Sequence, residues 1–251
     1  MNELNVKNKK VLFITGAGVS VDSGIPDFYS KNGLYKVNEK TGLSPIGALN
    51  AKTLKTKPQL VWQTVYELFS SIGDVKPNKS HVAISAMSEL ASEVIVLTQN
   101  VDGLHSVTGK EKVYEVHGNA LNSKCLRCDT NFNDHFEQLS KRVIPRCDLC
   151  GGMLRLDIVL FDEMPKLPEN INDICSNVDY VFFVGTGSPQ HYLINLAAMC
   201  LQGGAKVHWV NPRPISEHAE LSMMLECFGL PSELITEHLL DSSDFLPLLL
   251  K

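Results

Sequence analysis

The sequence predicts an α/β fold, a parallel sheet carrying a second, smaller lobe. Three observations lead there. Four short runs rich in β-branched and aromatic residues read as buried strands. Amphipathic segments with helical spacing lie between them. Two stretches then interrupt the alternation, and one of these holds four cysteines in two CxxC pairs.

The first strand is "VLFIT", Val11–Thr15. It runs into "GAGVSVDSGIPDF", where Gly16 and Gly18 allow close approach of a phosphate to the backbone. A helix beginning near Val19 or Ser20 would turn its N-terminal amides toward that phosphate. The dinucleotide pattern GxGxxG is not met, because Val21 takes the third glycine's place and the next glycine is Gly24. Residues 30–57 are loop-rich, with Gly33, Gly42, Pro45 and Gly47. Helical spacing over 58–72 sets Trp62, Val65, Tyr66 and Phe69 on one face, and a second helix is expected over 77–92. The strand Glu93–Thr98 follows and ends in "TQNVDGLH". Residues 120–154 carry the cysteine pairs and little apolar periodicity. Strands at Tyr180–Gly185 and Lys206–Asn211 enclose a helix over 191–204 that stops at Gly203 and Gly204. Open parallel sheets bind ligands beyond the carboxyl ends of their strands. "TQNVDGLH" and "GTGSP" occupy such ends.

The chain of 251 residues is long enough for a full core with an inserted lobe, and 44% of its residues are hydrophobic and 20% charged. A net charge of -5 argues against a general nucleic-acid or membrane-surface binder. There is no apolar run of spanning length, and the five-residue run before Gly16 is too short for a signal segment. A cytosolic protein is expected.

Cys125 and Cys128 in "CLRC", and Cys147 and Cys150 in "CDLC", form two pairs with 18 residues between them. That is the spacing of a four-thiolate zinc site, in which each pair offers two sulfurs from one tight turn. A redox pair is the alternative. Such a metal can order a segment that has almost no core of its own. Cys175, Cys200 and Cys227 read as small buried hydrophobes. On spacing alone, His105 and His117 are equal candidates for a catalytic base.

Taken together, "GAGVSVDSGIPDF", "TQNVDGLH", "HG" at 117–118, the CxxC pairs, "DIVLFDE" and "GTGS" resemble, in order, the sirtuin family of NAD-dependent protein deacylases. The resemblance implies a Rossmann-like domain from 1–32, 73–119 and 155–251. The small lobe would combine a helical insert, 33–72, with a zinc ribbon, 120–154. It also implies two cofactors, NAD as co-substrate and Zn2+ as a structural ion, and acylated-lysine proteins or peptides as partners.

Carried onto this chain, the family roles place Gly16, Ala17 and Gly18 at the phosphates, with Ser20 and Ser23 supporting the loop. Ile25 and Asp27 would line the nicotinamide pocket, and Phe28 would cover the reacting ribose. Gln99 and Asn100 would hold that ribose, and Asp102 the carboxamide. Gly185, Thr186 and Ser188 would line the adenosine side, with Asn211 near the adenine ribose. His117 aligns with the general base, supported at the site by Asn100, whereas His105 and His81 align with structural positions. Val159 and Phe161 fall on the segment that pairs with an acyl-lysine peptide as an added strand. In the family chemistry the amide oxygen attacks the ribose as nicotinamide leaves, and a neutral imidazole takes a ribose hydroxyl proton. The products are free lysine and O-acyl-ADP-ribose.

The chain departs from the family pattern at Tyr29, where Arg is usual, at Leu156, where Pro is usual, and at Asp162 and Gly187, which replace Gly and Ser. Residues 33–57 contain Tyr35 but no Arg, so an acetyl or other neutral acyl group is expected rather than an acidic one. Two other activities are compatible with these departures: an NAD glycohydrolase or ADP-ribosyltransferase, and a non-catalytic NAD-sensing module.

Overall fold

The structure, a computed structural model, describes residues 4–27, 44–69, 74–109, 111–133, 143–187, 191–217 and 234–250. Its main sheet is built from β1 (Lys10–Thr15), β2 (Glu93–Thr98) and β3 (Lys112–Glu115). A second sheet intervenes in the chain, formed by β4 (Gly118–Cys125), β5 (Asn131–Phe132) and β6 (Leu154–Ile158). The chain then completes the main sheet with β7 (Tyr180–Val184), β8 (Lys206–Val210) and β9 (Ile235–His238).

The main sheet has the order β3-β2-β1-β7-β8-β9, and every neighbouring pair is parallel. The order reverses between β1 and β7. A crevice opens at such a switch point, outside the carboxyl ends of the two strands. Both faces of the sheet are covered, which is why its central strands are apolar along most of their length. Leu12, Ile14, Ile95, Leu97, Val181, Phe183 and Trp209 point to one core. Val11, Phe13, Val94, Val96, Phe182 and Val210 point to the other. The period of two along each strand divides these residues between the faces.

The four strands expected from the sequence agree with the structure to within one residue at each end. The two edge strands were not expected. β3 has no buried residue and β9 buries only Ile235, so neither carries a continuous apolar run.

Helix α1 (Pro45–Ala48) and helix α2 (Ala51–Thr56) fall in the stretch read as loop-rich. Ser44 and Asn50 cap them, accepting from Gly47 N and Thr53 N. α3 is Pro58–Phe69, and residues 70–72 of the expected helix lie outside the described residues. The expected 77–92 helix is α4 (Lys79–Ala86), capped by Asn78 and followed by a 3-10 turn at Met87–Glu89. α5 is Ile171–Ser176, α6 is His191–Gln202 and α7 is Ser242–Phe245. α4 and α7 cover one face of the main sheet, through Ala83, Ile84 and Phe245; α5 and α6 cover the other, through Ile174, Leu193 and Ile194.

A third core joins the second sheet to the early helices: Leu54, Val61, Trp62 and Val65 meet Ala120, Leu154, Leu156 and Ile158. β4 pairs antiparallel with β6, with a register shift between Asn119 and Ser123. β4 reads "GNALNSKC", and this near-absence of alternating apolar residues hid it in the sequence.

Candidate active site

The loops after β1, β2 and β7 converge on a cavity of about 450 Å³ at the switch point. That volume lies within the roughly 300–1,000 Å³ of small-molecule sites. Gly16, Ala17, Gly18, Ser20, Ile25, Asp27, Gln99, Asn100, Asp102, His117, Val159, Phe161, Gly185 and Asn211 all line it. Thr186 does not: it is fully buried, and it backs the glycine loop. Phe28 and Ser188, with Tyr29, Tyr35 and Cys227, lie outside the described residues. Ser23 is part of the loop's helical turn but is not at the cavity.

After β1 the chain forms a 3-10 helix from Ala17 to Ser23, two to three residues earlier than expected and tighter than an α-helix. The reason is a close backbone approach. Gly18 N donates to Gly185 O at 2.9 Å, and Gly16 N donates to Val184 O at 3.0 Å. A Cβ on Gly18 would stand 2.7 Å from the Gly185 Cα, and one on Gly16 would stand 2.9 Å from the Gly185 oxygen. Gly185 itself has φ +61°, a conformation that favours glycine. These glycines make a floor without side chains, which suits a pyrophosphate.

Above that floor lies a buried polar network. The Ser20 hydroxyl donates to Asp102 Oδ2 at 2.7 Å and accepts from Asn100 Nδ2 at 2.9 Å. Asp102 Oδ1 accepts from Leu104 N at 2.9 Å. The network holds the loops after β1 and β2 together and leaves polar edges facing the cavity. Buried polar groups paired this way are held in one arrangement.

His117 reaches the cavity from the turn between β3 and β4. Its Nδ1 lies 3.0 Å from the Gln99 carbonyl oxygen, and a carbonyl only accepts, so Nδ1 carries the proton. Burial lowers its pKa, and the bond to Gln99 raises it by less. The imidazole is therefore neutral at pH 7, with its lone pair on Nε2. This is the protonation state a general base needs.

His105 is a different case. It is buried, it does not line the cavity, and its Nε2 sits 3.0 Å from the Thr15 hydroxyl. Its ring lies 4.7 Å from that of His81, and burial, then His81, push its pKa down to about 3. His81 Nδ1 in turn meets Asn78 at the cap of α4.

Val159 and Phe161 continue from β6 along the cavity, their N–H groups donating to His117 O and Leu49 O at 2.8 and 3.0 Å. Asp162 Oδ1 accepts from Ala51 N at 2.7 Å, so this carboxylate caps α2. Arg213, Asp241, Ser242 and Glu163 also line the cavity and were not singled out in the sequence. Glu163 closes the "DIVLFDE" stretch, whereas Arg213, Asp241 and Ser242 lie far from the glycine loop in stretches without a pattern of their own. Of these three, only Arg213 had a nearby signal, two residues beyond the strand-end Asn211.

Away from the cavity, the sulfurs of Cys125, Cys128, Cys147 and Cys150 lie within 4.8 Å of one another. Cys125 and Cys150 are 3.5 Å apart, and Cys128 and Cys147 are 3.6 Å apart. Four sulfurs placed about 2.3 Å from one zinc ion would stand ~3.8 Å apart, so the set fits a tetrahedral ion. Backbone N–H groups of Arg127 and Gly152 donate to Cys125 and Cys150. Among the described residues, no helix is long and apolar enough to cross a membrane.

The Sir2 family model matches residues 16–190. NAD-dependent protein deacylase 2 of Pseudomonas syringae pv. tomato is 34% identical over 226 residues, covering 87% of this chain and 90% of that protein. NAD-dependent protein deacetylase 2 of Caldanaerobacter subterraneus subsp. tengcongensis is 41% identical over 170 residues, 65% of each. A solved structure described as the structural basis for the mechanism and regulation of Sir2 enzymes superimposes with a TM-score of 0.76 at 25% identity, covering 96% of this chain and 91% of that one. By the span of the family match and by identity along most of its length, this chain belongs to the Sir2 family.

Proposed function

We propose that this chain is an NAD-dependent protein-lysine deacylase that yields nicotinamide, O-acyl-ADP-ribose and free lysine. The observation that carries it is His117, a neutral imidazole oriented by Gln99 in the cavity that also holds the Ser20–Asn100–Asp102 network. NAD, when bound, supplies a glycosidic bond that breaks with nicotinamide leaving as a neutral group.

Gly16, Ala17, Gly18 and Gly185 present bare backbone to the pyrophosphate. Ile25, Asp27 and Asp102 enclose the nicotinamide, Phe28 covers the reacting ribose, and Gln99 and Asn100 hold that ribose. Thr186, Ser188 and Asn211 serve the adenosine side, Thr186 from beneath the glycine loop. His117 accepts a hydroxyl proton at Nε2, a contribution typically of about 10²–10⁴-fold. Val159 and Phe161 border the acyl-lysine peptide, whose acyl group is neutral. Cys125, Cys128, Cys147 and Cys150 hold a structural zinc ion that closes the small lobe, 33–72 with 120–154, on a Rossmann-like domain of the remaining residues. The protein works in the cytoplasm.

A second reading, an NAD glycohydrolase or ADP-ribosyltransferase, is favoured by one observation. Phe161 N and Asp162 already tie the peptide segment to Leu49 and Ala51. The products separate the two: incubation with NAD and an acetyl-lysine peptide is expected to give O-acetyl-ADP-ribose by mass spectrometry. Free ADP-ribose with the peptide still acetylated would favour the second reading instead.

A further inference from the structure

Both ring nitrogens of His117 are engaged by the protein. Nδ1 donates to Gln99 O, which leaves the lone pair on Nε2. The Tyr192 hydroxyl lies 3.1 Å from that Nε2. The phenol is the partner with a proton to give, so its O–H donates to the lone pair. The two rings also meet edge-on, with centroids 6.1 Å apart and planes at 70°. Tyr192 is the second residue of α6, a helix seated on the sheet core through Leu193, Ile194 and Leu196. A side chain rooted on a packed helix is placed more closely than one on a loop. His117 lines the cavity and Tyr192 does not. Burial pushes the ionisation of Tyr192 upward, so the phenol keeps its proton at neutral pH.

We propose that Tyr192 is a latch on His117: in the ligand-free protein its hydroxyl occupies the lone pair that base catalysis requires, and a substrate hydroxyl must displace it. This rests on the reading of His117 as the base. The exchange is balanced without a further reactant. The substrate O–H takes the phenol's place at Nε2, its O–H bond breaks, and an N–H bond forms. The electron pair stays on the substrate oxygen, and the imidazole becomes imidazolium. The Tyr192 hydroxyl loses a hydrogen-bond partner but no proton. Tyr192 is thus a positioning residue, acting only through His117. Gln99 keeps hold of Nδ1 throughout, so the ring stays oriented when the latch opens.

The test is nitrogen NMR on ligand-free protein labelled at histidine, for the wild type and Tyr192→Phe. The wild-type Nε2 is expected at the position of a hydrogen-bonded acceptor, and in Tyr192→Phe it is expected to shift downfield toward a bare nitrogen, with Nδ1 still protonated. One neutral hydrogen bond corresponds to about a two- to tenfold factor. With peptide saturating, kcat/KM for NAD is therefore expected to rise by about that much in the variant. An Nε2 resonance that does not move, or a kcat/KM that falls, overturns the latch. A second measurement needs no variant. ADP-ribose, which carries the ribose hydroxyls without nicotinamide, is titrated into wild-type protein while the contact between the Tyr192 and His117 rings is followed. The contact is expected to weaken, and its persistence at saturation overturns the proposal. A wild type that turns over no NAD counts against the deacylase reading, whereas the Nε2 shift decides the latch independently.

Discussion

The Ser20 hydroxyl donates to Asp102 Oδ2 at 2.7 Å, across 82 positions of sequence. This bond connects the turn after β1 with the turn after β2, and Asn100 completes it from the other side of Ser20. Each loop is held at the cavity by the other.

Asp102→Ala should therefore weaken NAD binding more than it weakens the fold. It leaves the Ser20 hydroxyl and the Leu104 N–H without their acceptor, a loss of about 1–3 kcal/mol. Titration calorimetry is expected to show an NAD Kd raised roughly five- to a hundredfold, with the circular dichroism spectrum unchanged. An unaltered Kd would mean that the network does not shape the site.

Gly18→Ala addresses the glycine floor. The added Cβ would lie 2.7 Å from the Gly185 Cα, where the neighbour is backbone and cannot turn aside. The expected cost is about 1–3 kcal/mol of stability, read as a lower urea midpoint, together with lost NAD binding. Gly24→Ala is a useful contrast: a Cβ there meets nothing within 4 Å, but φ is +90°. Its cost should come from the backbone alone and leave the cavity intact.

His105 makes stability depend on pH. Its folded pKa of about 3 lies below the ordinary 6.5, so between these values the unfolded chain binds more protons. Stability is fully present above pH 6.5 and falls as the pH drops toward 3. Between pH 7.5 and pH 5.5 this residue alone should cost about 1.4 kcal/mol. Urea unfolding at the two pH values, for the wild type and His105→Asn, measures it. The difference between the two pH values should shrink in the variant by that amount, and equal pH dependence would refute the assignment.

The four cysteines should hold one zinc per chain, measured by elemental analysis. Cys125 and Cys147 belong to the same core as Trp62 and Leu154, so loss of the ion would loosen that core. Cys128→Ala, whose sulfur lies outside the core, is expected to lose the metal and lower the melting temperature. A metal-free wild type that melts at the same temperature as the metallated one would contradict a structural role.

Much of this was legible in the sequence where the physics is local. β1, β2, β7 and β8 are buried on both faces, so they read as continuous apolar runs. The cysteine pairs carry their ligand geometry in their spacing, and the glycines announce a backbone approach. Elements whose order comes from elsewhere were hidden. β3 and β9 are edges with little apolar content, and β4 depends on pairing with β6. α1 and α2 sit in a stretch whose Gly and Pro residues read as loop, and their caps, Ser44 and Asn50, carry no such signal. The partners Tyr192 and His117 lie 75 residues apart, and neither belongs to a pattern that points at the other. Asp162 stands in the sequence only as a departure from a usual Gly, whereas in the structure one of its oxygens is occupied at the start of α2.

The central claim is that one cavity couples nicotinamide release to deacylation through His117. The direct measurement follows nicotinamide and acetyl-peptide mass together in one reaction, for the wild type and His117→Ala. Equal amounts of nicotinamide formed and acetyl lost are expected in the wild type, with both steady-state rates falling together by about 10²–10⁴-fold in the variant. Nicotinamide formed while the peptide stays acetylated, or a variant as fast as the wild type, would contradict the claim.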